Sequence, residues 1–296
     1  MADSASPAHP ETADDVIRSI IRTTAARLVV SEADAIADAP DGVHQHRTDV
    51  RRLRSVLAGF RKHLDEAAAR DLRVRFAEWG GQLGVVRDIE VRAHVALAAM
   101  DDLGIDDDDD IRTRLVDAEF EEYARAHVRL CELHDGPRSR ARMTALAAFA
   151  ADPPIALAIG AKPKTLLKVA RQDVRRLKRA ARRSDGSIAS LHEVRKAGRR
   201  LRYVAEALHD ADPDVFGVDV EELAAAGEGV HDALGDHRDE LIFVQRLELT
   251  RAQAGRAGER VQHYDALISR SMERAADRLD GLGDALDRVR RAASAL

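Results

Sequence analysis

The sequence predicts an all-α protein built as two similar helical bundles of four to five helices each, on three observations. First, Val43 to Arg54, VHQHRTDVRRLR, returns as Leu191 to Arg202, LHEVRKAGRRLR, with six identities in twelve positions at an offset of 148 residues. A repeat of that kind divides a chain of 296 residues into two related units. Second, hydrophobic residues make up 45% of the chain but aromatics only 3%, so its cores are filled by Leu, Val and Ala, the composition of packed helices. Third, apolar residues recur at steps of three and four, and no segment shows the period-two alternation of a half-buried strand.

Taken in order, residues 1–10 hold Pro7 and Pro10 among small polar residues and are expected to be a disordered tail. Glu11 to about Asp38 is predicted as the first helix, with Val16, Ile20, Ile21 and Leu28 packing and Arg18 and Arg22 one turn apart. Pro40 and Gly42 mark a turn, Asp41 is the expected N-cap, and the first repeat helix runs to about Asp65. Glu66 to Trp79 is a third helix, which Gly80 and Gly81 are expected to loosen or break before LGVVRD at Leu83 to Asp88. That hexapeptide returns as LGDHRD at Leu234 to Asp239, offset by 151, so two motifs recur in the same order. Helices follow at Ile89 to about Met100, Ile111 to Leu133 and Arg138 to Ala151, and Asp106 to Asp110 is expected to be a solvated acidic loop without the spacing of a calcium site.

Asp152, Pro153, Pro154 and Gly160 mark the boundary between units 11–152 and 161–296. Pro163 opens a strongly basic helix to Arg182, where proline is tolerated in the first turn. The SDGS turn at Ser184 to Ser187 leads to the second repeat helix, ending near Asp210. Helices at about Asp214 to Leu234, Asp236 to Ala254 and Gly258 to Ala293 complete the chain.

At about 100° per residue, His44, Arg47, Arg51, Arg54 and Lys62 share one face, opposite Val43, Val50, Leu53, Leu57, Phe60 and Leu64. The second copy sets His192, Arg195, Lys196, Arg199 and Arg202 against Leu191, Val194, Leu201, Ala205 and Leu208 in the same sense. Lys164, Lys168, Arg171, Arg175, Lys178 and Arg182 form a further stripe at steps of four and three. The formal net charge is −5, yet Lys162 to Arg202 holds fifteen Lys or Arg against three acids, a local +12. A basic site set in an acidic body points to a polyanion bound at one place. Arginine forks hold two phosphate oxygens at once and lysine supplies a mobile point charge, so cations spaced along helices suit a chain of phosphates. A mononucleotide cradle would need a glycine-rich loop opening a helix, and neither GxxxxGK[ST] nor GxGxxG is present.

The duplicated HxxRxxxRRLR pattern with its following LGxxRD resembles the conserved histidine alpha-helical domain family, CHAD, over almost the whole chain from about Glu11. The resemblance implies two bundles related by a pseudo-twofold axis with a basic central groove, and binding of inorganic polyphosphate. Residue by residue, Arg18, Arg22, His44, Arg47, Arg51, Arg54, Lys164, Lys168, Arg171, Arg175, Lys178, His192, Arg195, Lys196, Arg199 and Arg202 are the expected phosphate-binding set. The opening helix of the first unit offers only Arg18 and Arg22 against six stripe cations in the second, so the second unit is expected to dominate affinity.

No enzyme is expected, since no carboxylate pair at helical spacing beside either motif histidine suggests a hydrolase; His44 and His192 are read as phosphate donors, and His46, on the apolar side, as packing. Asp88 and Asp239 are expected to orient arginines of the repeat helices, and Trp79 and Tyr203 to pack or line a rim. Cys131 is alone, and no metal or cofactor is expected. The N-terminus lacks a basic, apolar leader and no apolar run approaches the roughly 20 residues of a membrane helix, so a cytoplasmic setting is expected, and the CHAD resemblance implies association with polyphosphate granules there. The competing readings are a nucleic-acid-binding protein, against which the scarcity of aromatics for stacking argues, and a phosphate-transfer enzyme using a motif histidine.

Overall fold

The computed structural model describes residues 10–105 and 109–296; the tail through residue 9 and residues 106–108 of the acidic loop lie outside the described residues. Among the described residues the regular structure is helical, with one isolated bridge between Leu64 and Ile155. Helix α1 (Ala13–Ile36) opens with a capping box in which Thr12 and Asp15 bond reciprocally. The next turn corrects an expectation. Asp41 adopts the left-handed region (φ 59°) and makes no capping bond; its carboxylate accepts from Gln45 instead. Gly42 starts α2 (Gly42–Gly59), and a Cβ there would lie 2.6 Å from the Asp34 carbonyl oxygen, so the tight turn requires glycine.

α2 ends six residues before the expected Asp65, which instead caps α3 (Glu66–Leu103) by accepting from the Ala68 amide at 2.8 Å. α3 runs unbroken through Gly80 and Gly81. Gly80 is a packing residue: a Cβ would stand 3.1 Å from Val50 and 3.7 Å from Arg54, so its absence lets α2 approach. The buried face of Leu72, Phe76, Trp79, Leu83, Val86 and Ile89 continues across the glycines and holds the helix together. α4 (Asp109–Arg112) passes through a π turn (Thr113–Asp117) into α5 (Ala118–His134), followed by α6 (Pro137–Ala151).

After a 3₁₀ turn at Pro163–Leu166 come α7 (Leu167–Arg183) and α8 (Ile188–Ala211), the latter capped by Ser187. α9 (Pro213–Ala257) spans the second hexapeptide without a break at Leu234 to Asp236 and departs from helical geometry only at Gly217 (φ 67°). α10 (Gln262–Ala295) starts after Gly258 closes α9 in the left-handed region.

One apolar cluster runs through both halves, from Ile17, Leu53 and Phe76 to Leu177, Leu201 and Leu223. A second, with Met100, Leu115, Phe243, Leu247 and Tyr264, ties the ends of α3 and α9 to the start of α10. Between the helices of the first half lies a buried polar network. His46, expected to pack, is fully buried; it accepts from Trp79 Nε1 at 2.8 Å and lies 3.0 Å from Ser31 Oγ. Arg142 stacks over Trp79 at 4.2 Å and bonds Glu32 at 2.6 Å, joining α1, α2, α3 and α6. Among the described residues, no helix is long and apolar enough to cross a membrane.

Candidate anion-binding site

The two repeat helices meet directly. α2 packs on α8 at a close crossing, where a Cβ on Gly59 would overlap Val204 at 2.5 Å. Burying the apolar faces of both helices there turns their cationic faces toward one another. Arg51 and Arg199, equivalent positions of the repeat, become mutual neighbours, with Arg54 and Arg195 close to Arg199 and Arg195 and Arg202 close to Arg51. Neither Arg51 nor Arg199 has a carboxylate within ion-pair distance among the described residues, and the Nε atoms of both, and of Arg195, are buried without a hydrogen-bond partner. Burial first, and then neighbouring guanidinium charge, holds Arg51 below the usual arginine range and brings Arg199 to about 10. Such crowding is unfavourable in an empty site and becomes favourable when anionic oxygens enter.

Two cavities open from this crossing. The smaller, about 280 Å³, is lined by Arg51, Arg54, Arg73, Arg176, Lys196, Arg199 and Arg200, with Glu193 its one carboxylate. The larger, about 580 Å³, is lined by Arg61, Lys62, Arg175, Arg176, Arg179, Arg183 and Arg200, with Asp173 and Glu193. They share Arg176, Ala180, Glu193 and Arg200, so they form one cleft between α2, α7 and α8. Asp173 does little to neutralise it: the carboxylate is 1% exposed and bonded to Arg200 at 2.9 Å.

The cleft selects among the expected residues. Arg51, Arg54, Arg175, Lys196 and Arg199 line it. Lys164, Lys168, Arg171 and Lys178 line neither cavity: Lys164 lies in the 3₁₀ turn before α7, and at about 100° per residue the other three fall on the face of α7 beside the cleft wall. Arg18 is bonded to Asp14 and Asp152, and Arg22 is exposed on α1; neither lines the cleft. Arg202 is engaged by Glu206 at 2.6 Å and Glu228 at 2.8 Å and lies over the Tyr203 ring; burial disfavours its charge, but these carboxylates raise its pKa overall. Trp79 and Tyr203 are both buried packing residues.

Arg47 and Arg195 stand behind the crossing. Arg47 pairs with Asp88 at 3.4 Å and packs over Gly84, while Arg195 lies over Gly235, where a Cβ would come within 3.1 Å of its guanidinium. The glycine of each LGxxRD therefore seats the first arginine of its own HxxR, and the aspartates act from behind, Asp88 as an ion pair and Asp239 through its field on Arg195. Arg87 is bonded to Glu90. His44 is half-buried beside Arg87 and Arg51, with a pKa lowered by burial and then by those charges. His192 is exposed and lines a different, largely apolar cavity with Leu191, Leu234, Leu241 and Ile242.

Sequence reasoning missed Arg61, Arg73, Arg176, Arg179, Arg183 and Arg200 as cleft residues. Arg200 was visible as the second arginine of RRLR, and Arg176, Arg179 and Arg183 as cations one position off the stripe. Arg73 carried no signal, because it comes from α3 outside both motifs. His231 of α9 was also missed: it is 6% exposed, and burial, followed by Arg195, Arg51, Arg199 and Arg202, keeps it neutral.

The sequence profile of the CHAD domain matches residues 19–248. The chain belongs to the CHAD domain family. Two uncharacterized proteins of Mycobacterium tuberculosis, from strains CDC 1551 and H37Rv, are each 24% identical over 297 residues, covering 97% of this chain and 56% of their own length. The chain thus spans little more than half of these curated relatives. Among solved structures, the CHAD domain from the plant Ricinus communis superimposes with a TM-score of 0.72 at 22% identity, covering 100% of this chain and 96% of that one. PptA from Streptomyces chartreusis follows the same fold with a TM-score of 0.67 at 19% identity, covering 96% and 99%. The CHAD fold of this chain is thus matched end to end.

Proposed function

We propose that this CHAD domain binds inorganic polyphosphate in the cleft between α2, α7 and α8, as a non-catalytic module acting in the cytoplasm at polyphosphate granules. The observation that carries the reading is the juxtaposition of Arg51 and Arg199, repeat-equivalent, partly buried and without a carboxylate partner among the described residues. Twelve Lys or Arg side chains line the joined cavities against Asp173 and Glu193. Two joined cavities, each lined by seven cations, suit a linear polymer of phosphates better than a single phosphate, and family membership favours polyphosphate as that polymer. Neither cavity is lined by a histidine or cysteine, which supports binding over group transfer.

Calorimetry across a salt series, with long-chain polyphosphate, orthophosphate, ATP and duplex DNA as ligands, tests the reading. Each neutralised phosphate releases condensed counterions, so affinity for polyphosphate is expected to fall steeply with salt and to exceed that for the other three. A flat salt response, equal affinity for orthophosphate, or tighter binding of duplex DNA overturns it.

A further inference from the structure

Helix α7 carries cations beyond those the cleft uses. Its seventeen residues hold eight Lys or Arg and one acid, Asp173, buried against Arg200. Val169, Ala170, Val174 and Leu177 face the core, and Arg176, Arg179 and Arg183 face the cleft. At about 100° per residue, Lys168, Arg171, Lys178 and Arg182 then occupy a third face, within about 80° of one another. Arg175, which lines the larger cavity, falls within the arc of the outer face, and Lys168 and Arg179 follow it at steps of about 20°, so the cations pass from cleft to outer face without a gap.

The outer face gathers cations that no side-chain carboxylate pairs. Many arginines elsewhere are met by carboxylates, Arg27 by Asp210, Arg75 by Asp71, Arg92 by Glu119, Arg138 by Glu78 and Arg251 by Asp265, while others, such as Arg22, Arg70 and Arg291, have no such pair among the described residues. On the outer face of α7, Arg171 donates to an oxygen of Leu296, the last residue of the sequence, and Arg182 donates to the Lys178 carbonyl, while no side-chain carboxylate lies within ion-pair distance of Lys168, Lys178 or Arg182 among the described residues. In a protein of net charge −5, acids were available to neutralise this face. Like charges at steps of three and four weaken a helix, so leaving them unpaired is a cost that a solvated surface does not need.

We propose that the outer face of α7 is an exit ramp for the ligand: a phosphate chain leaving the cleft past Arg179 and Arg175 continues over Lys168, Arg171, Lys178 and Arg182. This deepens the cleft reading and rests on it. The cleft alone binds any chain long enough to fill it. The ramp is reached only by chains long enough to leave the cleft, and it therefore sets a preference for long polyphosphate.

The triple variant Lys168→Gln, Lys178→Gln, Arg182→Gln keeps good helix formers and removes three of the ramp charges. Its affinity, with that of the parent chain, is measured by calorimetry for chains of about ten and about a hundred phosphates over a salt series. The expected result is a short-chain affinity within about twofold of the parent, a long-chain affinity lowered by about tenfold or more, and a shallower salt slope for long chains only. Since a long chain offers more binding registers to both proteins, the readout is the long-to-short ratio of the variant against that of the parent. Equal losses on short and long chains overturn the ramp, as does no loss on either. A parent that clouds with long chains by light scattering while the variant does not, at an unchanged affinity ratio, overturns it in favour of cross-linking of separate chains. A parent that binds neither length fails the cleft reading itself, which the ramp result cannot mimic.

Discussion

At the scale of single residues, the site is held in an electrostatically unfavourable arrangement until a ligand arrives. Arg51 and Arg199 are neighbours, desolvated, and lack the carboxylates that neutralise arginines over most of the surface. Removing one charge while keeping its aliphatic stem is therefore expected to relieve repulsion in the empty protein and weaken the complex. Arg51→Met and Arg199→Met are each expected to melt no lower than the parent without ligand, and to bind polyphosphate more weakly by roughly 1.5 to 3 kcal/mol, a factor of about ten to over a hundred. Thermal melts and calorimetry on the same samples check both parts. A variant that melts early and binds normally while folded would make these arginines scaffold. Arg52 is the contrast on the same helix: it pairs with Glu206 at 2.9 Å and stacks on Tyr203, so it is fixed in place rather than held ready.

At the scale of elements, the amphipathic faces were legible and the glycines were not. The position of α2 and α8, their buried stripes and their shared polarity follow from the three-and-four spacing of Val50, Leu53, Leu57 and of Val194, Leu201, Leu208. Gly80, Gly81 and Gly235 read as helix breaks from propensity alone, because single-residue propensity carries no information about a neighbour. In the structure Gly80 makes room for Val50 and Arg54, and Gly235 for Arg195, so tertiary packing decides. For the same reason the stripe on α7 was legible as a stripe, while the cleft-facing row of Arg176, Arg179 and Arg183 needed the position of α8 to be recognised.

How the first-half helices are locked also has an elementary consequence. Trp79 donates to His46 Nε2, so His46 carries its proton on Nδ1, toward Ser31, and must stay neutral. Burial first, then Arg142 and His134, push its pKa down to about 3. Between about pH 6.5 and that value the unfolded chain binds the proton and the native one does not, so this contribution to stability is complete above about 6.5 and is lost as pH falls. His46→Gln keeps an acceptor for Trp79 but cannot titrate. Denaturant melts from pH 7 to 4 are expected to show a shallower acid loss for the variant, by up to about 1.4 kcal/mol per pH unit. Identical slopes would mean that His46 is solvated and protonates freely in the native state.

At the scale of the whole molecule, charge separation links the binding site to pH. An acidic body surrounds a cationic cleft, and the histidines near it have their pKa values lowered by burial first and then by neighbouring cations. His44 faces Asp41 from the turn before α2, Arg51 on α2, and Arg87 and Glu90 on α3; burial and then Arg87 lower its pKa. His192 faces Glu193, Arg195, Lys196 and Arg199 on its own helix and shares a cavity with His237 and Arg238 of α9; burial and then Lys196 lower its pKa. A bound polyanion reverses the sign of the local field and raises both. A group whose pKa is higher in the complex takes up a proton on association, so affinity is expected to rise as pH falls from about 8 to 6 and to level off below the free-state values. Calorimetry in buffers of different ionisation enthalpy measures that proton uptake directly. The double variant His44→Gln with His192→Gln is expected to lose it, while the titration of the ligand's own terminal phosphates remains common to both proteins and cancels in the comparison. The two histidines differ in position: His44 lines neither cavity of the cleft but stands beside its Arg51, and His192 opens onto the apolar cavity. The single variants should therefore divide the effect unequally, with His44→Gln removing the larger part. Should the double variant keep the full pH dependence, the proton enters elsewhere, and the histidines of the repeat would hold helix geometry instead of charge.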